Sequence, residues 1–218
     1  GNCRNIYLGM NAADNLVQGD STSTSCVCNN DNILIGSSVA NNIVVCGAFC
    51  RNILMGDNAG FNALGAGIGT DYVQNVLIGT KAGSRYNGNC NTFIGPYAGC
   101  SPSGPRSTGI ANIGIGLSVQ MPNRFGSNQL AIGQTSQYWI TGDQYFNVGV
   151  GIATPTSKLH VKGDSIITGV ATAGIVTATH IFADRYHGDQ NNNFYAGPFT
   201  GSGAAGITSG ATANIGIG

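Results

Sequence analysis

A short unit recurs along this chain: an Asn, three residues that are mostly apolar, and a Gly. It appears as Asn5-Ile-Tyr-Leu-Gly9, Asn32-Ile-Leu-Ile-Gly36, Asn52-Ile-Leu-Met-Gly56, Asn75-Val-Leu-Ile-Gly79, Asn91-Thr-Phe-Ile-Gly95, Asn112-Ile-Gly-Ile-Gly116 and Asn147-Val-Gly-Val-Gly151. A variant, Gln129-Leu-Ala-Ile-Gly133, precedes the last. Successive closing glycines lie 27, 20, 23, 16, 21, 17 and 18 residues apart. A short minimum with variable excess is the pattern of stacked repeats that share a core and differ in their loops.

Three apolar residues are too few to show helical periodicity, and the Asn and Gly that bound them are turn formers, so each unit reads as a short β-strand. Alternation then assigns the faces. The outer members, such as Ile33 with Ile35 and Val76 with Ile78, are expected to fill the interior of each coil. The middle members, Tyr7, Leu34, Leu54, Leu77 and Phe93, are expected to face the opposite way as an apolar row for packing against other chains. After Phe93 the middle position shrinks to Gly114, Ala131 and Gly149, which predicts a tighter neck. The heading Asn either stacks on its counterpart in the next strand as an amide ladder or simply begins a turn. The closing Gly is expected to supply a positive φ at a corner.

Composition narrows the function. Charged residues are 8% of the 218, against roughly 25% in ordinary soluble domains. Nine Lys and Arg balance nine Asp and Glu, so there is no basic field to hold nucleic acid or an anionic membrane. Apolar residues at 42% separate the chain from disordered segments, and 35 glycines without a three-residue period exclude collagen. No apolar run nears the roughly 20 residues that span a bilayer, so no membrane insertion is expected. An opening without Met and an end inside another unit, Asn214-Ile-Gly-Ile-Gly218, lead us to expect a soluble piece of a longer chain.

The extended motif Asn-x-h-h-Gly-x-x-Ala-Gly, seen at Asn52 to Gly60, Asn75 to Gly83 and Asn91 to Gly99, resembles repeats of phage tail fibres. More distantly it resembles the heads of trimeric autotransporter adhesins, and Asn128-Gln-Leu-Ala-Ile-Gly-Gln-Thr-Ser136 is similar to the adhesin head repeat. Residues 147–164 are similar to a connector common in tail-fibre proteins. Residues 167–179 look like Gly-Ile-Val-Thr-Ala segments of cyanophage virion proteins. What these likenesses imply is an all-β, homotrimeric, fibrous β-solenoid, a parallel β-roll or triple β-helix on the virion. Its expected role is that of a structural shaft of a tail fibre supporting attachment to the host cell. Its expected partners are copies of itself, other virion tail proteins, and a host surface glycan or protein. A bacterial surface adhesin and a polysaccharide-degrading tailspike are the alternatives.

The expected organisation is a repeat array over 1–133, a neck and connector over 134–164, an intertwined β segment over 165–187, and a loop-rich stretch over 188–218 that starts a further repeat region. Residues 10–31, 57–74 and 96–111 read as surface loops. The seven cysteines, at 3, 26, 28, 46, 50, 90 and 100, do not fall into paired zinc-type spacing, so no metal site is expected. Stacked strands bring equivalent positions within disulfide range only between neighbouring coils, which leaves some disulfides or small buried thiols as the two readings. His160, His180 and His187 lack a nucleophile partner, and Gly65-Ala-Gly-Ile-Gly69 lacks the last Gly and the Lys of a phosphate loop. Neither catalysis nor a cofactor is expected. Tyr72, Tyr86, Phe125, Tyr138, Trp139, Tyr145, Phe194, Tyr195 and Phe199 are read as packing under loops or at coil ends rather than stacking on sugars.

Overall fold

A computed structural model describes residues 4–14, 17–18, 29–42, 44–45, 48–63, 71–101, 106–168, 194–196 and 215–217. Among these residues every regular element is a β-strand, and no helix is long and apolar enough to cross a membrane. The chain divides into two units, residues 1–166 and 167–218. Within the second, the strands Phe194–Ala196 and Ile215–Ile217 pair in parallel.

The first unit is built on one ten-stranded mixed sheet. Seven strands follow one another in parallel and in register: Ile6–Leu8, Ile33–Ile35, Ile53–Met55, Val76–Ile78, Thr92–Ile94, Ile113–Ile115 and Leu130–Gln134. Each recurring unit thus contributes one strand, and its middle residue lies beside that of the next: Tyr7, Leu34, Leu54, Leu77, Phe93, Gly114 and Ala131. Gln137–Gly142 then reverses direction, pairing antiparallel with both Leu130–Gln134 and Val148–Val150. Leu159–Val161 closes the sheet in parallel. Residues 134–164, expected as neck and connector, therefore extend the same sheet, and pairing changes from parallel to antiparallel at their start.

The faces of the strands are the reverse of those expected. Leu34, Leu54 and Phe93 are fully buried and Leu77 nearly so, all within a single chain, whereas the flanking residues are half-buried or exposed. Tyr7, Leu34, Leu54, Leu77 and Phe93 are therefore not an interchain packing row. Tyr7 lies in the same row, remains 38% exposed and donates its hydroxyl to Asn29 Oδ1 at 3.1 Å. The physical reason is what stands behind the sheet. Turn residues Val39, Ala59, Ala82, Ala98 and Val119 are completely buried, and short strands beyond them bring in Phe49, Tyr72 and Tyr86. Only the middle residue points into that space. Phe49 stacks on Tyr72 with centroids 6.0 Å apart, and Tyr86 meets Phe93 edge-on at 4.7 Å. Each such buried side chain contributes about 1.5–3 kcal/mol.

The Ala-Gly that ends the extended motif has a steric origin. Gly83 has a φ of +61°, and a Cβ there would lie 2.7 Å from Leu77 Cδ1, so the middle residue of the same repeat occupies its space. Gly60 stands in the same relation to Leu54, and Gly99 to Phe93. The turn backbone also bonds to the next repeat, as when Gly60 N–H donates to Ala82 O and Gly83 N–H to Ala98 O, both at 2.8 Å. The small middle residues do not narrow the structure by emptying it. A Cβ on Gly114 would meet Met121 Cε at 2.8 Å and Phe93 Cδ1 at 2.9 Å, so neighbouring side chains already fill that position.

Candidate functional site: an aliphatic sheet face on an amide spine

The heading Asn residues lie inside the molecule as a continuous ladder. Asn32, Asn52, Asn75, Asn91 and Asn112 are at most 1% exposed. The Oδ1 of Asn5, Asn32, Asn52, Asn75 and Asn91 each accepts the backbone N–H of the next Asn at 3.0 Å, and Asn112 Oδ1 accepts that of Gln129 at 2.9 Å. The oxygens of Asn5, Asn32, Asn52, Asn75 and Asn112 also accept from the next side-chain amide, at 3.0–3.4 Å. The amide nitrogens also reach across the interior. Asn32 Nδ2 donates to Phe49 O, Asn52 Nδ2 to Tyr72 O, and Asn112 Nδ2 to both Gly126 O and Tyr86 Oη. Asn32, Asn52 and Asn112 thereby tie their sheet strands to the opposite side of their own repeats, and Asn112 reaches Tyr86 of an earlier one as well. Asn147 is outside the ladder, since its amide donates to Asp143 Oδ2 at 3.0 Å.

The closing glycines make the corner. Gly9, Gly36, Gly56, Gly79, Gly95 and Gly116 have φ between 126° and 139°, and a Cβ on Gly79 would sit 2.6 Å from the carbonyl carbon and oxygen of Gly95. Gly151 has a φ of 69°, whereas Gly133 lies within its strand, where a Cβ would collide with Gln137 O. The residue before each strand head also has positive φ, near 60°, at Asp31, Arg51, Gln74, Cys90, Ala111, Asn128 and Phe146. No sequence preference marked those positions, because varied side chains occupy them.

With the middle residues inside, the flanking residues form the outward face. One row runs Leu8, Ile35, Met55, Ile78, Ile94, Ile115, Ile132, Ile140, Val150 and Val161, each beside the next across the strand pairs. It is aliphatic over all ten strands, including the antiparallel reversal. A second row, from Ile6, Ile33, Ile53 and Val76 onward, lies beside it and is interrupted by Thr92 and Gly142. Members are substantially open to solvent: Leu8 is 56% exposed, Ile113 43% and Val150 39%. At a strand spacing of about 4.8 Å the face is roughly 43 Å long, and its two rows cover about 400 Å².

Titratable chemistry is sparse. Burial pushes the Tyr72 and Tyr86 phenols well above their ordinary range, and Tyr86 Oη is engaged, donating to Thr108 O and accepting from Asn112. Backbone and side-chain N–H groups of Asn147, with that of Tyr145, hold the Asp143 carboxyl below its usual range. Cys100 is buried and Cys90 exposed, both as free thiols, and Cys50 is buried. Cys3, Cys26, Cys28 and Cys46 lie outside the described residues, as do His180, His187, Phe199 and the 65–69 loop. His160 Nδ1 lies 3.2 Å from Thr156 Oγ1. Among the described residues no group of three or more His, Cys, Asp and Glu is placed to hold a metal. The aromatics divide: Tyr72 and Tyr86 are core residues, Tyr138 packs half-buried against the core, and Phe125, Trp139 and Tyr145 are more than half exposed.

No protein-family model matches this chain, and neither a curated protein nor a solved structure matches it.

Proposed function

We propose that this chain is a β-solenoid shaft segment of a phage tail fibre, assembled as a homotrimer on the virion, in support of attachment to the host cell. The observation that carries the reading is the unbroken outward row of ten aliphatic side chains. A soluble monomer rarely presents an apolar strip of that length, and such strips mark interfaces. Three copies set around an axis parallel to the stack would bury both rows against their counterparts and leave the loops outside. The repeat motifs and the 147–164 connector resemble those of tail fibres, and the 167–179 segment looks like segments of cyanophage virion proteins, which supports the virion setting. The likeness of 128–136 to adhesin heads favours a bacterial surface adhesin as the second reading.

Native mass measurement tests the assembly. Ile78→Asp and Ile115→Asp, on the outward face, are expected to give folded monomers, because an unpaired charge is costly in a dry interface. Leu77→Ala, on the inward face, is expected to lower stability by about 2–5 kcal/mol whatever the assembly. A wild-type monomer would refute the trimer, and a trimer unaffected by either Asp would refute the outward face as its interface. Antibody labelling of purified virions tests the setting, and absence of label along the fibre would remove the phage reading.

A further inference from the structure

A second surface lies at the turns, away from the aliphatic rows. The turn after Gly95 and the turn after Gly116 enclose a cleft of about 490 Å³, lined by Tyr97, Ser101, Gln120, Met121, Arg124 and Thr135 among others, none of them acidic. Arg124 is held in place there: Nη2 donates to Ser101 Oγ at 2.6 Å, and the guanidinium lies 5.5 Å from the centroid of the Phe125 ring. Tyr97 is 39% exposed, with Lys81 Nζ 5.4 Å from its ring centroid. Cys100 forms part of the cleft wall.

Arg124 lines the cleft and Lys81 lies over the ring of Tyr97 on its wall, in a chain of zero net charge. From Tyr72 to Gly142 the sequence contains Lys81, Arg85, Arg106 and Arg124 and no Asp or Glu. The two charges that the geometry brings to this concave site, Arg124 and Lys81, are both positive, and its size is ordinary for a small ligand.

We infer that this cleft binds an acidic saccharide, with Arg124 receiving the carboxylate and Tyr97 supplying the platform for a sugar ring. A guanidinium matches a carboxylate with two parallel hydrogen bonds. A half-exposed phenol offers an apolar face with a polar rim, and Ser101, Gln120 and Thr135 provide donors and acceptors for ring hydroxyls. Nucleic acid fits less well, because a polyanion is drawn by a long-range basic field that a neutral chain lacks and is held by a series of phosphate contacts. The inference goes beyond the shaft reading and does not rest on it, since binding is read on the chain in solution whatever its assembly.

The test is calorimetric titration of the full chain with trigalacturonate, with maltotriose as the neutral counterpart and a twelve-residue oligothymidylate as the polyanion. Saturable binding of trigalacturonate is expected, weakening with added salt, with maltotriose at least about tenfold weaker. Arg124→Gln should weaken it about tenfold by removing a charge-assisted pair. Because Arg124 also supports its own turn, Tyr97→Ala at an exposed position and Gln120→Trp, which fills the cleft while leaving every cation in place, serve as independent variants. Both should reduce binding by about tenfold or more with unchanged melting. Lack of saturable binding, equal affinity for maltotriose, indifference to Tyr97→Ala and Gln120→Trp, or preference for the oligonucleotide would each overturn the inference.

Discussion

Asn52→Ala is the perturbation most directly calculable from the structure. The Asn52 side chain donates to Asn32 Oδ1 at 3.0 Å and to Tyr72 O at 2.9 Å. Its Oδ1 accepts the backbone N–H of Asn75 at 3.0 Å and the Asn75 side-chain amide at 3.3 Å. Truncation strands the buried backbone N–H of Asn75 and removes the acceptor of the Asn75 side-chain amide, while the Tyr72 carbonyl keeps its place in the pairing with Phe49–Cys50. An orphaned buried group costs about 1–3 kcal/mol, so a loss of about 2–6 kcal/mol is expected from these two groups. That is a large part of the 5–15 kcal/mol typical of a folded domain. Asn5→Ala is the control, because Asn5 is only half-buried and water can reach its partners, so about 1 kcal/mol is expected. Urea unfolding followed by circular dichroism, at one fixed protein concentration so that assembly does not confound the comparison, reads both. A cost for Asn52→Ala no greater than that of Asn5→Ala would show that the ladder is incidental to stability.

Three further outcomes can be checked. Gly79→Ala should cost about 1–3 kcal/mol more than Gly163→Ala, because both positions have φ near 130° but only Gly79 has a neighbouring backbone where the Cβ must go; equal melting shifts would refute the steric argument. The phenols of Tyr72 and Tyr86 have folded values raised above the ordinary 10.0. Their contribution is therefore complete below pH 10.0 and lost as pH rises beyond it, so alkaline titration should unfold the wild type at lower pH than Tyr72→Phe, and coincident transitions would argue against a buried phenol. Asp143 has the opposite sign, with a folded value below 3.8, so its support for the turn at 143–147 is present above that value and fades as pH falls through the folded one. Amide exchange at Tyr145 and Asn147 should rise in that acid window, and Asp143→Asn should abolish the dependence; an unchanged profile in the variant would contradict the capping role.

The strands were legible because their signal is local. An Asn, an apolar triplet and a Gly state a strand and its corner within five residues, and the corner glycines at 36, 56, 79 and 95 adopt the φ that only Gly tolerates cheaply. The inside was not legible, because alternation separates two faces without saying which one another part of the chain will cover. The cover comes from Val39, Ala59, Ala82 and Ala98 in turns and from Phe49, Tyr72 and Tyr86 on strands of two residues, too short to carry a period. One signal did exist. The triplet at Thr92–Ile94 keeps its large residue in the middle, Phe93, and admits the polar Thr92 beside it, as expected if the middle were inside. The cleft was invisible for another reason: Tyr97 and Arg124 are 27 residues apart in sequence and meet only because successive turns stack.

The in-register stack has a consequence for how the chain finds its own structure. Strands as alike as Ile33–Ile35 and Ile53–Met55 are nearly interchangeable as partners, so a folding chain risks mis-threading by one whole repeat. What distinguishes one slot from the next is the irregular remainder. The space beside Gly114 is already occupied by Phe93 and Met121, which admits no Leu or Phe in its place. The segments between closing glycines differ from 16 to 27 residues, so a strand in the wrong slot would bring loops of the wrong length to its corners. The sameness of the strands lets the sheet extend, and the inequality of everything between them acts as an address that tells each strand where it belongs.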